Sequence, residues 1–161
     1  MPSDYYLLVK SIDGESQAAD MEKNIELESW SWGASNPASL GGKGLAAGKP
    51  SLSDFTCSFS LEAASPKLIE ALCKGTHLDS FTFTGRKTGG DGKPYKFLIH
   101  EHKNCFITSF SMGGGSTGVP TASLSIAYEA MSHKYFSQDT KSGSVSLVAE
   151  AKYDIKQVKV G

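Results

Sequence analysis

The chain has 161 residues, 39% of them hydrophobic and 20% charged, and a formal net charge of -1. That length is one domain with room for a real core, and the charge lacks the basic surplus that nucleic acid or an anionic membrane selects. No apolar run approaches the roughly 20 residues of a membrane-spanning helix, and the opening Met-Pro-Ser-Asp-Tyr-Tyr has neither the basic nor the apolar region of a secretory signal.

Tyr5, Leu7 and Val9 alternate and predict a first strand. Ile25 and Leu27 continue the pattern, but the large residues then change parity to Trp30 and Trp32. Such a change means a bulge, or a strand apolar on both faces that needs a second covering layer from this chain or a neighbouring subunit. Residues 33–50 carry Gly33, Gly41, Gly42, Gly44 and Gly48 with Pro37 and Pro50, and no periodicity. They predict a long extended loop, functional or disordered, although Leu40 and Leu45 are residues a solvated linker does not require.

Phe55, Cys57, Phe59 and Leu61 face one way against Asp54, Thr56, Ser58 and Ser60, the pattern of a strand buried on one side. A helix is predicted over about residues 65–74. Ser65 suits its N-cap, Pro66 its first position, and Gly75 the position past its end, with Lys74 complementing the dipole. Its stripe of Leu68, Ile69 and Leu72 must dock on a sheet, because so short a helix is unstable alone.

Phe81 and Phe83, then Tyr95, Phe97 and Ile99, bracket a turn-rich segment and predict a hairpin. A second hairpin spans residues 105–129. Phe106, Thr108, Phe110 and Met112 share a face on its first arm, and Ala122, Leu124, Ile126 and Tyr128 on its second. Val145, Leu147, Ala149, Ala151 and Tyr153 make a late strand, and residues 155–160 a last one. The whole is mainly β, an antiparallel barrel or sandwich with one flanking helix.

Candidate chemistry is sparse. Gly114-Gly115-Ser116-Thr117-Gly118 matches G-x-S-x-G, but Val119, Pro120 and an alternating strand follow where a nucleophile elbow needs a helix. Residues 44–49 approach a phosphate loop and fail it, with Lys43 where glycine is needed and Pro50 where serine or threonine should bind magnesium. His100 and His102 share a strand face and form half a metal site; without a third ligand, solvent-facing histidines are the favoured reading. Cys57, Cys73 and Cys105 are odd in number and without C-x-x-C spacing, which points to free thiols, mostly buried, in a protein made in a reducing cytosol. No catalytic, cofactor or metal residue is assigned, and the chain is not read as an enzyme. Trp30 and Trp32 fit a core, with core slightly favoured, or a subunit interface, or a platform in a ligand- or carbohydrate-binding β-sandwich.

Residues 25–37 (Ile-Glu-Leu-Glu-Ser-Trp-Ser-Trp-Gly-Ala-Ser-Asn-Pro) resemble the second-strand motif of the hemolysin-coregulated protein family, Hcp, the tube protein of bacterial type VI secretion systems. Residues 64–68 through 74–77, residues 107–111 with the glycine loop and Pro120, and residues 153–156 resemble it in the same order. The resemblance implies a single domain over residues 1–161: a small antiparallel β-barrel of two sheets with one flanking helix, and the extended loop at 33–50 reaching neighbouring subunits. It implies homohexameric rings that stack into a tube, with spike, sheath and baseplate as partners and small effector proteins in the lumen. It also implies a route from the bacterial cytoplasm out through the apparatus without a signal peptide, with no nucleic acid and no membrane insertion. Trp32, Leu40 and Leu45 are then the candidate subunit or ring interface.

Overall fold

The computed structural model describes residues 3–42 and 44–161. In chain order the elements are β1 (Ser3–Val9), β2 (Ile25–Leu27), β3 (Ser29–Ser31), β4 (Ala34–Ser35), β5 (Ala38–Gly41), β6 (Gly44–Ala47), β7 (Ser51–Leu52), β8 (Phe55–Ser60), α1 (Ala64–Lys74), β9 (Leu78–Thr88), β10 (Pro94–Gly113), β11 (Thr121–Gln138), β12 (Val145–Asp154) and β13 (Lys159–Val160). All pairing is antiparallel, as the hairpin signals predict. The main sheet runs β13-β12-β11-β10-β9-β1-β2, and β11 also pairs with β8, which pairs with β3. β10 and β11 are long enough to serve both halves: β10 meets β9 through residues 94–105, and β11 meets β8 through residues 121–126.

β2 and β3 explain the parity change of the tryptophans. They flank Glu28, whose N–H donates to Ser58 O (2.8 Å), so the chain leaves β1 and joins β8 at that residue. Ile25 and Leu27 on one side of the break and Trp30 and Trp32 on the other all pack on the same core. The change of parity therefore marks a break between two strands with different partners, rather than one strand that is bulged or apolar on both faces. Because β2 pairs β1 while β3 pairs β8, the two ends of the strand path are joined by the chain at Glu28 and not by a ladder.

The core is aromatic at its centre. Phe55 and Phe83 are fully buried with ring centroids 5.1 Å apart, and Trp30 lies 4.6 Å from Phe83. Ala122, Leu124, Ile126 and Tyr128 are buried along β11, as their alternation predicts. The facing arm departs from expectation. On β10, Cys105 and Ile107 point inward, while Phe106 and Met112 are exposed. The register shifts between Ile107 and Ser109, and this bulge turns Phe110 back toward Phe59. One extra residue at Thr108 thus divides four positions that the sequence places on one face.

The helix covers one end of this core and packs on β10. It starts one residue earlier than predicted. Ser65 is not the N-cap; it is buried in the first turn, where its Oγ accepts from Glu62 N–H (3.2 Å). The cap comes from far along the chain: the Glu15 carboxylate accepts from Ala63 N–H (2.9 Å), and Glu15 N–H donates to Glu62 Oε1 (3.2 Å). An anion at a helix N-terminus also complements the dipole. Gly75 ends the helix at φ 62°, a left-handed conformation, with Thr76 N–H reaching Ala71 O (3.0 Å). Glu15→Ala is expected to lower stability by about 1 kcal/mol in urea titration, the usual cost of a lost N-cap acceptor.

Candidate functional site

Residues 33–50, expected as an aperiodic loop, form a two-tier β arm. Its base is β4 paired with β7, Ala34 opposite Leu52, and its tip is the β5–β6 hairpin. Between the tiers Gly48 N–H is shared by Pro37 O and Asn36 Oδ1, both at 2.8 Å. The segment pairs even though it is built from Gly, Ala and Ser, residues with no strand preference of their own. The turn is permitted by Gly44 at φ 102°. Lys43, where the phosphate-loop spacing fails, lies outside the described residues.

Leu40 pairs directly with Leu45, and Ala38 with Ala47, so the four share one face of the tip. That face is uncovered: Leu40 is 83% and Leu45 77% exposed. An isolated two-stranded ribbon is at best marginally stable in water, and neither leucine packs on the core.

The arm's root is fastened to the barrel by Trp32 and Tyr128. Trp32 Nε1–H donates to the Tyr128 hydroxyl, which in turn donates to Ser53 O (2.8 Å). Gly33 and Ser53 close the root with Gly33 N–H to Ser53 Oγ (2.9 Å) and Ser53 N–H to Gly33 O (2.9 Å). Trp32 is half-buried against His100 (centroids 6.2 Å), so it joins the arm to the interior. Burial pushes the Tyr128 phenol up to about 12, which keeps the relay protonated.

His100 and His102 correct the sequence reading. They are not in solvent; both are buried on the inner face of β10, at 1% and 0% exposure. The alternation holds and its polarity is inverted. Register places His100 opposite Phe83 and His102 opposite Phe81, while Glu101 and Lys103 point outward. The phenylalanines of β9 were the available signal, but using it required the bulge between Lys96 and Leu98. His102 stacks on Phe81 (4.3 Å, 9° between planes) and meets the Tyr128 ring edge-on at 4.3 Å. His100 lies 4.3 Å from the His133 ring. None of the four imidazole nitrogens of His100 and His102 has a hydrogen-bond partner among the described residues. Burial, and then the neighbouring His133, lowers His100 to about 4; burial, and then His100, lowers His102 to about 3. Both rings are therefore neutral near pH 7 and pack as aromatic groups.

The remaining chemical candidates fall away on geometry. Ser116 sits in the exposed turn between β10 and β11, and a strand follows it. Among the described residues no group of three or more His, Cys, Asp or Glu side chains is placed to hold a metal. Cys57 and Cys105 are buried thiols pushed up to about 12, too poorly ionised to react. Trp30 is half-buried with its ring packed on Phe55 and Phe83, so it belongs to the edge of the core rather than to an open platform. A recess of about 210 Å³ on the outer face of β10–β12 is lined by Lys103, Lys134 and Lys152 but equally by Glu101, Glu150 and Asp154, which leaves no net charge to select an ion.

A second apolar surface lies away from the arm. Val145, Leu147, Ala149, Ala151 and Tyr153 form the expected strand as part of β12, in which Val145, Leu147 and Val148 are 42%, 49% and 59% exposed. β11 and β12 run past the barrel core as a ribbon, and a bulge at Val148 sends that residue out beside its neighbours.

The family model described as "Type VI secretion system effector, Hcp" matches residues 6–135. No curated protein matches the sequence. Among solved structures, one described as a type six secretion system protein superposes with TM-score 0.91 at 24% identity, covering 99% of this chain and 100% of that one. An Hcp protein from Salmonella typhimurium gives TM-score 0.78 at 22% identity over all of both chains. A type VI secretion system effector from Yersinia pestis gives 0.75 at 26% identity, over 94% of this chain and 99% of that one.

Proposed function

Because the chain belongs to the Hcp family of type VI secretion proteins, a structural family and not an enzyme family, we propose that it is a subunit of the secretion tube. Six copies close into a ring, rings stack, and the assembly is secreted with small effectors carried in its lumen. Its partners are then other copies of itself and the spike, sheath and baseplate of the apparatus.

The observation that carries this reading is the arm's uncovered apolar face, Leu40 and Leu45 at 83% and 77% exposure on a ribbon that reaches away from its own core. A ring closed by head-to-tail contacts needs two different surfaces on each subunit. The arm tip supplies one and the exposed β12 ribbon of Val145, Leu147 and Val148 is the second apolar surface available. Leu40 and Leu45 make the contact with the neighbouring subunit, and Trp32 sets the arm's direction from its root. The test is electron microscopy of the purified chain. Six-fold rings are expected; a field of featureless monomer-sized particles over a wide concentration range overturns the proposal.

A further inference from the structure

We propose that His100, His102 and His133 form an acid-operated latch for the arm, in which protonation of His100 lifts Trp32 from the barrel and frees the arm's root while the barrel stays folded. The inference concerns this chain by itself and holds whatever the arm touches.

The argument starts from what His100 meets on each side. Trp30 lies edge-on from β3 (5.9 Å), Phe83 from β9 (5.4 Å), His102 on its own strand (6.0 Å), His133 from β11 (4.3 Å), and Trp32 at the start of the arm (6.2 Å). Around His102 stand Phe55 from β8, Phe81 from β9 and Tyr128 from β11. The titratable groups in this enclosure are the three histidines and Tyr128, with Asp54 acting on the Tyr128 phenol. Among the described residues no carboxylate acts on His100 or His102 to compensate an imidazolium. A proton on either ring is therefore an unpaired buried charge, which a protein relieves by letting water in.

The two rings differ in how water can reach them. His102 is closed in by Phe81 and Tyr128, and hydrating it means opening the aromatic core. His100 is covered on one side by Trp32, which is half-buried and outside the regular strands. Its hold on the barrel includes the indole N–H bond to the Tyr128 hydroxyl. The half-buried His133 ring beside it adds like charge when it protonates. Displacing Trp32 hydrates His100 at the cost of that bond and one aromatic contact. The same movement breaks the Trp32–Tyr128–Ser53 chain that fastens the arm. Acid thus acts first on the root and only later on the core.

The chain's two tryptophans make this measurable. In protein labelled with 5-fluorotryptophan, fluorine NMR should resolve Trp30 and Trp32, assigned with Trp30→Phe. As pH is lowered from about 7.5 to about 2.5, the Trp32 signal is expected to move to its solvent-exposed position at least one pH unit before Trp30 moves. Histidine ring nitrogen NMR on the same unmodified chain should show His100 taking its proton at the Trp32 midpoint. In His100→Phe the Trp32 transition should shift by at least one unit toward lower pH. If Trp30 and Trp32 move together, or His100 remains neutral while Trp32 is released, the latch is wrong. An unchanged Trp32 midpoint in a folded His100→Phe protein also overturns it, and should that variant not fold, the histidine and fluorine titrations of the unmodified chain decide alone.

Discussion

Leu40→Asp combined with Leu45→Asp is expected to give a folded chain that remains monomeric. Each leucine stands more than three-quarters exposed at the arm tip, so neither substitution removes a core contact. Burial of a leucine in an interface contributes about 1.5–3 kcal/mol, so losing two weakens every subunit contact by roughly 3–6 kcal/mol before charge is counted. Two adjacent carboxylates then meet an apolar partner surface, which adds a desolvation cost. Each 1.4 kcal/mol is about tenfold in the association constant, so contact affinity should fall by more than about a hundredfold and rings should vanish at micromolar protein. Sedimentation velocity reads the assembly, and circular dichroism with a thermal melt reads the fold. Rings that persist in the double variant would show that the arm's apolar face is not the subunit contact.

The second large effect is acid sensitivity set by His102. Its ordinary value is near 6.5, and burial with His100 beside it lowers it to about 3 in the folded chain. The unfolded chain therefore binds a proton in this window that the folded chain does not. Stability from the neutral ring is fully present above about pH 6.5 and is lost as pH falls toward about 3. The slope is about 1.4 kcal/mol per pH unit from this group, or roughly 3 kcal/mol by pH 4.5. Against a total of about 5–15 kcal/mol for a domain, that is a large share. His102→Phe keeps an aromatic ring stacked on Phe81 and removes two imidazole nitrogens that have no partner. Urea titrations at about pH 7.5 and 4.5, run on the monomeric arm variant to separate folding from assembly, should show a smaller loss in His102→Phe by about that 3 kcal/mol. Equal losses with and without the histidine would assign the acid response to other groups.

The two histidines also show where the sequence was readable and where it was not. β8 and β11 were legible because one face is uniformly large and apolar and the other small and polar, as with Phe55, Cys57 and Phe59 against Thr56 and Ser58. The helix was legible to within one residue at both ends, but its capping group was not, because the carboxylate is that of Glu15, far away in sequence. His-Glu-His alternates as regularly as any strand, yet polarity alone put the histidines outside. Only the register with Phe81 and Phe83 puts them inside. Phe106 was misplaced by a single bulged residue at Thr108. The arm was hidden for another reason: its pairing partners are Ala, Ser, Gly and Leu, which carry no periodic signal, and its apolar tip has no use within the monomer. Among the candidate interface residues, Leu40 and Leu45 are together at that tip, whereas Trp32 is at the opposite end of the arm, tied to Tyr128.

Assembly is the claim on which the account turns, and light scattering coupled to size exclusion tests it most directly. Purified chain at micromolar concentration should elute with six times the 17.1 kDa of a single copy, or with larger multiples where rings stack. A mass of one copy that does not change across a hundredfold range of concentration would contradict it.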